Sequence, residues 1–210
     1  MRGKLISFEG GDGVGKSTQL TLLADGLTSA GKQVLCTREP GGTALAEQIR
    51  RWVLHDKGAI APVTELLLIF AARCQHIIEV IEPNLASGKW VLCDRFTDAS
   101  YAYQGGGRGI PGATIQQVEA VATAGLLPDL TLLLDMPVEY GEQRSVGRGE
   151  GSDRFEAQEK DFKIRIRAAY QARQQSDPGR VRLVNALESV DVVQAQVWSL
   201  VSALLRQEDE

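Results

Sequence analysis

A glycine-rich segment near the N-terminus has the residue types and spacing of a phosphate-binding loop. It fits the pattern G-x-x-x-x-G-K-[ST] and consists of Gly10, Gly11, Asp12, Gly13, Val14, Gly15, Lys16 and Ser17, followed by Thr18. Glycines let the backbone curl so that several N–H groups face phosphate oxygens, and the N-terminus of a following helix adds partial positive charge. Lys16 is then expected to reach the β- and γ-phosphates, and the Ser17 hydroxyl to bind Mg²⁺. The segment therefore predicts that the chain binds a nucleoside triphosphate together with Mg²⁺.

An acid and an arginine follow a second apolar run, residues 90–93, in the order Asp94-Arg95-Phe96. An Asp at the end of a strand can hold Mg²⁺ directly or through water. An arginine beside it can bridge the phosphates of a donor and an acceptor. Together with the phosphate-binding loop, the pair indicates phosphoryl transfer, with Lys16 and Arg95 as catalytic cations and Asp94 as a second metal ligand.

Short apolar runs alternate with helical patterns along the whole chain, which predicts a parallel sheet covered by helices on both faces. We therefore predict an α/β fold of the P-loop kinase type, with one domain over residues 1–210. The predicted strands are 5–8, 33–37, 90–93, 130–134 and 181–184. The predicted helices are 17–30, 43–54, one that carries 65–78, 114–124, 138–146, 157–174 and 190–206, with a break or restart at Pro83.

The residues that directly follow the predicted strands are expected to carry the function, because ligands of such sheets bind at the carboxyl ends of the strands. These positions are polar, charged and rich in glycine. They are 9–17, 38–42, 94–96 and Asp135.

Composition and length exclude several classes of protein. The net charge of −4 argues against a nucleic-acid partner. Three widely spaced cysteines, Cys36, Cys74 and Cys93, are typical of reduced thiols, and no apolar run is long enough for a membrane span, so we expect a cytoplasmic protein. Neither Asn84 nor Asn185 begins an N-K-x-D segment, which argues against a GTPase, and the chain is short for a motor or transport ATPase.

Five segments carry a recognisable combination of motifs: Phe8 to Thr18, Thr37-Arg38-Glu39-Pro40-Gly41-Gly42-Thr43, Asp94-Arg95-Phe96, Ala102-Tyr103-Gln104-Gly105 and Asp153-Arg154-Phe155-Glu156. In these motifs the sequence resembles the thymidylate kinase family. The resemblance implies ATP and dTMP as substrates, Mg²⁺ as cofactor and a homodimer built on helix packing, for which the apolar helix 65–78 is a candidate.

The same resemblance implies an acceptor site for dTMP. Arg38 is expected to meet the monophosphate, and Arg73 the carbonyl edge of thymine. Phe70, which shares a helix face with Arg73, is a core residue by its pattern alone, but the resemblance implies that it stacks on thymine. Further contacts are expected from Ser100 and Gln104 to the base, from Tyr101 or Tyr103 to the sugar at its 2′ position, and from Asp12 to the 3′-hydroxyl.

Residues 141–156 are predicted to form a mobile lid, because the segment mixes arginines with Gly147, Gly149 and Gly151. Some members of the family carry a cation in the phosphate-binding loop directly after the acid, whereas Gly13 stands there in this chain. The pattern resembles the bacterial type in which the lid supplies the arginine. We expect Arg148 to be the catalytic lid residue, and Arg144 and Arg154 to support it or to contact adenine and phosphate. Asn185 and Ala186 are expected to border adenine.

Two other functions stay open at this point. One is another nucleoside monophosphate kinase, acting on dCMP or AMP, which would differ in the base pocket. The other is a regulatory ATPase without a small acceptor, although Arg38, Arg95 and the lid arginines argue against it. His55 and His76 are expected to have structural or surface roles, because an acceptor phosphate needs no strong general base.

Overall fold

Five parallel strands form the central sheet of the computed structural model, which is described over residues 2–56, 58–146, 154–155 and 158–208. The strand order is β2-β3-β1-β4-β5, and every neighbouring pair is parallel. The strands are β1 (Leu5–Glu9), β2 (Val34–Arg38), β3 (Trp90–Asp94), β4 (Leu130–Asp135) and β5 (Val181–Asn185). The predicted α/β class and the predicted five-stranded parallel sheet are confirmed.

Helices alternate with the strands along the described part of the chain. They are α1 (Lys16–Ser29), α2 (Ala44–His55), α3 (Pro62–His76), α4 (Glu82–Ala86), α5 (Thr97–Ser100), α6 (Gly112–Thr123), α7 (Val138–Val146), α8 (Lys160–Ser176) and α9 (Val190–Glu208). Two π-helical turns extend these helices: Ile77–Ile81 joins α3 to α4, and Tyr101–Gly107 continues α5. Pro83 lies in the first turn of α4, but Ile81 and Glu82 before it are both in the right-handed helical conformation, so the chain stays helical through the predicted break or restart.

The core is divided between the two faces of the sheet, as the alternation of side chains along each strand requires. On one face, Ile6 and Phe8 of β1 pack with Leu23 of α1 and Val197 of α9. On the other face, Leu5 packs with the turn 77–81 and α4, and Leu133 packs with residues of α2, α3 and α8. Helices therefore cover both faces.

The register of the strands brings their carboxyl ends to one edge of the sheet. Asp94 pairs with Phe8 of β1 on one side and with Arg38 of β2 on the other. The chain leaves β1 for strands on one side of it and later returns to strands on the other side, so β1 lies where the direction of winding reverses. Ligands of doubly wound sheets bind at such a point.

None of the helices in the described ranges is both long enough and apolar enough to cross a membrane.

Candidate active site

The loop after β1 leaves the N-terminus of α1 open toward the cavity beside it. Gly15 caps this helix in the left-handed conformation, with φ of 95°, and no side chain accepts a hydrogen bond from the first turn of α1. The first turn also lacks an acidic residue. Backbone N–H groups at such an end, together with the helix dipole, favour an anion such as a phosphate.

Lys16 lies within this loop as a buried cation. Its Nζ donates to the carbonyl oxygens of Gly10, at 3.2 Å, and Gly11, at 2.8 Å. Burial, and then the neighbouring charge of Arg95, lower the pKa of Lys16 to about 8. An ammonium with a lowered pKa next to open N–H groups would gain strongly from the negative charge of a triphosphate.

A cavity of about 200 Å³ opens beside the loop, and most of the site residues predicted from the sequence line it. The predicted site residues in its lining are Asp12, Gly13, Gly15, Lys16, Ser17, Arg73, Asp94, Arg95, Ser100, Tyr103 and Gln104. Arg38 and Phe70 do not line this cavity, and neither does Thr18, which lies exposed on α1. Gly10, Gly11 and Val14 line a second, larger cavity on the other side of the loop.

Two oxygen ligands suited to Mg²⁺ face the smaller cavity. The Ser17 side chain is exposed there. The Oδ1 atom of Asp94 is buried and has no hydrogen-bond partner in the described part of the chain. Mg²⁺ takes oxygen ligands and keeps several waters, so a hydroxyl and an unpaired carboxylate oxygen fit it.

Arg95 connects the loop after β1 to helix α8. Its Nη1 donates to the carbonyl oxygen of Gly10, at 2.9 Å, and to the hydroxyl of Tyr170, at 3.1 Å. Its Nη2 donates to Oδ1 of Asp12 at 3.1 Å, and its guanidinium lies over the ring of Tyr103 at 4.8 Å. Arg95 also has a left-handed φ of 71°, which is uncommon for a residue with a side chain. These contacts hold its charge at the cavity wall.

Arg73 is a further buried cation in the lining of the same cavity. Its Nε donates to Glu39 at 2.6 Å, its Nη1 to the hydroxyl of Ser100 at 2.9 Å, and its Nη2 to the carbonyl oxygen of Phe96 at 2.9 Å. Gln104 is buried in the same cavity lining and donates to Glu65 at 3.0 Å. Ser100, Gln104 and Arg73 thus form one polar wall.

The two remaining acceptor predictions lie away from the cavity surface. Phe70 is buried in a cluster with Leu66 and Ile115, and the guanidinium of Arg73 lies 4.5 Å from its ring centre. Arg38 is half-exposed and pairs with Glu47 of α2 at 3.0 Å. The stacking of Phe70 on a base and the binding of a phosphate by Arg38 stay predictions.

Of the two tyrosines considered for the sugar, Tyr103 lines the cavity and Tyr101 does not. The ring of Tyr103 meets Phe155 edge-on at 5.2 Å. The hydroxyl of Tyr101 donates to Glu119 of α6, and Arg173 covers its ring at 4.1 Å. Residues two positions apart lie on nearly opposite sides of a helical turn, so the side chain of Tyr103 faces the cavity and that of Tyr101 faces α6.

The lid prediction is only partly covered by the described residues. Arg148 lies outside them, as do Gly147, Gly149 and Gly151. Arg144, in the last turn of α7, donates to the carbonyl oxygen of Ala186, so it borders the segment after β5. Arg154 is instead tied to Glu65 of α3, at 3.3 Å, and to the carbonyl oxygen of Ile60, which places it by the α2–α3 connection.

Two buried acids, Glu9 and Glu39, lie in ranges that were expected to be functional but had no role of their own in the sequence prediction. Glu9 accepts from the backbone N–H of Phe96 and from the Tyr170 hydroxyl, each at 2.7 Å. Burial, and then the charge of Asp98, raise the pKa of Glu9 to about 7. Glu39, which lies in the motif from Thr37 to Thr43, accepts a hydrogen bond from Arg73 at 2.6 Å and so holds its guanidinium. Its position directly after Arg38 in the motif was the one signal that could have drawn attention to it.

The larger cavity, of about 510 Å³, lies between the loop after β1, α7 and α8. Asp135, predicted to be functional by its position after β4, lines this cavity rather than the smaller one. Its carboxylate accepts two hydrogen bonds from Arg167 of α8, at 2.7 and 2.8 Å. Asp135 therefore attaches α8 to the end of the sheet.

Comparisons with known proteins agree with this arrangement. The sequence model of the family described as thymidylate kinase matches residues 8–197. The thymidylate kinase of Pseudomonas syringae pv. tomato is 51% identical over 207 residues, which are 98% of each chain, and that of Methylococcus capsulatus is 48% identical over 203 residues, 97% of each chain. The crystal structure of thymidylate kinase from Ehrlichia chaffeensis matches with a TM-score of 0.79 and 30% identity, over 96% of this chain and 100% of that one. Because the family model and these relatives span nearly the whole chain, the chain belongs to the thymidylate kinase family.

Proposed function

We propose that this member of the thymidylate kinase family transfers the γ-phosphoryl group of ATP to the 5′-phosphate of dTMP, giving ADP and dTDP, in the 200 Å³ cavity. The observation that supports the proposal is that residues suited to both substrates line this one cavity. Lys16 and Ser17 are suited to a triphosphate, Arg73 and Gln104 to a base, and Asp94 and Arg95 belong to the same lining.

The donor site is formed by the loop from Gly10 to Thr18. Its backbone N–H groups and the open N-terminus of α1 bind the phosphates, and Lys16 turns from the loop carbonyls to the β- and γ-phosphates. Ser17 and Asp94 hold Mg²⁺, which offsets phosphate charge when it is bound. Arg144 borders the adenine, since it already contacts the segment after β5.

The acceptor site is formed in the cavity by Asp12, Arg73, Arg95, Ser100, Tyr103 and Gln104. Arg38 and Phe70, which lie outside the cavity lining, are proposed to complete it when dTMP binds. Arg73 donates to the carbonyl edge of thymine, and Ser100 and Gln104 contact its other polar groups. Tyr103 packs against the sugar at its 2′ position, and Asp12 accepts a hydrogen bond from the 3′-hydroxyl. Arg38 and Arg95 bind the phosphate, because a guanidinium can donate two parallel hydrogen bonds to phosphate oxygens.

The reaction needs alignment and charge compensation rather than a strong base. A phosphate oxygen of dTMP attacks the γ-phosphorus in line, the bond to the β–γ bridging oxygen breaks, and ADP leaves with that electron pair. Lys16 and Arg95 offset the charge that spreads over the transferred group. We assign the third cation to Arg148 of the lid, since arginines in this role contribute about 10³ to 10⁵ in rate in related enzymes.

Two further properties belong to the proposal. The chain acts as a homodimer through the exposed side of α3, where apolar side chains remain uncovered. It works in the cytoplasm, for which its three free cysteines are suited.

The function is tested by measuring ADP formation from ATP and Mg²⁺ with a panel of nucleoside monophosphates. We expect turnover to be fastest with dTMP. Turnover with dCMP or AMP alone would identify a different monophosphate kinase. ATP hydrolysis that does not depend on any acceptor would contradict a kinase function altogether.

A further inference from the structure

His76 is a buried side chain in the last turn of α3, one helical turn beyond Arg73, and the phosphoryl transfer described above does not use it. Its exposure is 0%. Its Nδ1 lies 3.0 Å from Oε1 of Glu39, and its Nε2 lies 2.7 Å from the hydroxyl of Thr37 on β2. Both ring nitrogens therefore have partners, and the imidazole joins α3 to the end of β2.

The carboxylate of Glu39 is hydrogen-bonded to His76 through one oxygen and to Arg73 through the other. Arg73 Nε donates to Oε2 at 2.6 Å, and the side chains of Arg73 and Glu39 are each 2% exposed. The backbone N–H of Glu39 also donates to the carbonyl oxygen of Asp94, which fixes the residue at the carboxyl end of the sheet. A carboxylate held on both oxygens has little freedom to rotate, so it fixes the plane of the guanidinium.

The orientation of Arg73 decides which of its N–H groups face the cavity. A guanidinium has five N–H donors. Three of them donate to Glu39, Ser100 and Phe96. The other two, one on each Nη, make no hydrogen bond within the described ranges, and Arg73 lines the cavity. These two donors are the ones available to an acceptor base.

The turn after β2 leaves room for the imidazole. Gly42 has a φ of +84°, and a Cβ atom on it would lie 2.5 Å from the His76 ring. A residue with a side chain at this position would displace the ring from Glu39. The glycine of this turn and the histidine of α3 therefore fit each other closely.

Glu39, His76 and Cys93 also lie close enough together to suggest a metal site, since one candidate ligand atom from each lies within 4.8 Å of the others. Hydrogen bonding argues against it. Both carboxylate oxygens and both ring nitrogens have protein partners, and Sγ of Cys93 donates to the carbonyl oxygen of Arg95. The arrangement is a hydrogen-bonded chain that ends on Arg73.

We infer that His76 is a positioning residue for recognition of the acceptor base: through Glu39 it holds Arg73 so that two N–H groups of the guanidinium face the base carbonyl. The inference rests on the proposed function. Thymine offers a carbonyl oxygen at its 4-position, whereas cytosine offers an amino group that would meet the donors of Arg73. A guanidinium of Arg73 fixed in this orientation therefore favours dTMP over dCMP. If its orientation were not fixed, the preference for dTMP would be smaller.

The test compares His76→Phe, which removes both hydrogen bonds, with His76→Asn, whose amide can still donate to Glu39. For His76→Phe we expect KM for dTMP to rise about 10-fold, which one hydrogen bond to a charged group can account for. The preference for dTMP over dCMP should fall by a similar factor, while kcat and KM for ATP stay within about 2-fold. His76→Asn should recover most of both losses. His55→Phe, at the exposed end of α2, is the matched control and should behave as the wild type.

A second measurement does not depend on the folding of these variants. The chain has two histidines. In a His55→Asn protein, the imidazole nitrogen signals in the NMR spectrum therefore come from His76 alone. These signals should shift on addition of dTMP. The inference is overturned if they do not shift, if folded His76→Phe keeps the wild-type KM and preference, or if His76→Asn is as impaired as His76→Phe. A wild-type chain without dTMP turnover would instead overturn the proposed function, and this inference with it.

Discussion

Lys16 shows how the fold sets the charge of a single residue before any substrate binds. Its ammonium is buried and bound to two loop carbonyls, and its pKa is lowered to about 8 by burial and then by Arg95. At pH 8 a substantial fraction of Lys16 is therefore neutral in the absence of nucleotide. A triphosphate beside it favours the charged form and raises the pKa again.

It follows that ATP binding should take up a proton near pH 8, and much less at pH 6.5, where Lys16 is already charged. Titration calorimetry with ATP in two buffers of different ionisation enthalpy measures this uptake directly. The Lys16→Met variant, which has no group to protonate, should show no such uptake at pH 8. Equal proton uptake by the wild type and this variant would contradict the assignment.

Single residues also show what the sequence could and could not predict about the site. Local motifs with a defined spacing were enough to predict Lys16, Asp94 and Arg95 as site residues, and all three line the cavity. The hydrogen bonds around these residues involve distant parts of the chain. The hydroxyl of Tyr170, for example, donates to Glu9, which is 161 positions away in the sequence. No periodicity or motif encodes such a contact, because it arises only when α8 packs on the sheet.

At the scale of elements, the sequence analysis assigned no helix to the segment from Thr97 to Gly107, where the structure has α5 and a π-helical turn. Three successive glycines, residues 105–107, are typical of a loop. In the structure they belong to a π-helical turn that continues α5. Helix α8 approaches Gly106 and Gly107 so closely that a Cβ atom on either would lie 2.6 Å from a side-chain atom of α8. This is a tertiary reason for these two glycines that a local pattern cannot reveal.

Gly106 tests this close approach. A Cβ atom there would lie 2.6 Å from Cβ of Ala169 and 2.8 Å from the carbonyl oxygen of Arg165. Gly106→Ala should therefore push α8 away and lower the free energy of unfolding by about 1–3 kcal/mol. Because the same turn carries Tyr103 and Gln104, KM for dTMP should rise as well. Thermal unfolding and steady-state kinetics measure the two effects.

Gly112 is the matched control for this substitution. It begins α6, and a Cβ atom on it would meet no atom within 4 Å. Gly112→Ala should change stability by less than about 0.5 kcal/mol or increase it slightly, since alanine favours helices. If both variants were equally stable, the packing of α8 would not be the reason for glycine at position 106.

At the scale of the whole molecule, the sequence predicts that strands exist but not how they are ordered. The alternation of strands and helices implied a parallel sheet, and the five strands agree with it. The order β2-β3-β1-β4-β5 depends on which crossovers pack on which face, and no local pattern specifies that. With β1 at the centre, Phe8 and Arg38 both pair with Asp94, so the ends of β1, β2 and β3, and the motifs that follow them, meet at one edge.

The molecule also leaves an apolar stripe uncovered on one side. Val63, Leu67 and Ile78 lie along α3 and its π-helical extension with exposures of 55%, 53% and 63%. Their separations of 4 and 11 residues place them on one helix face. Val121 of the neighbouring helix α6 is 85% exposed. Neighbouring exposed apolar side chains of this kind mark an interaction surface, which supports the proposed homodimer.

We therefore expect the wild-type chain to sediment at twice its mass of 22.8 kDa. Leu67→Glu should convert it to a monomer, because a carboxylate from each subunit would have to lose its hydration within the interface. Leu183 of β5 has the same exposure of 53% but lies away from this stripe, so Leu183→Glu should leave the dimer intact. Sedimentation equilibrium distinguishes the outcomes: a monomeric wild type, or dissociation by Leu183→Glu and not by Leu67→Glu, would show that α3 does not form the subunit contact.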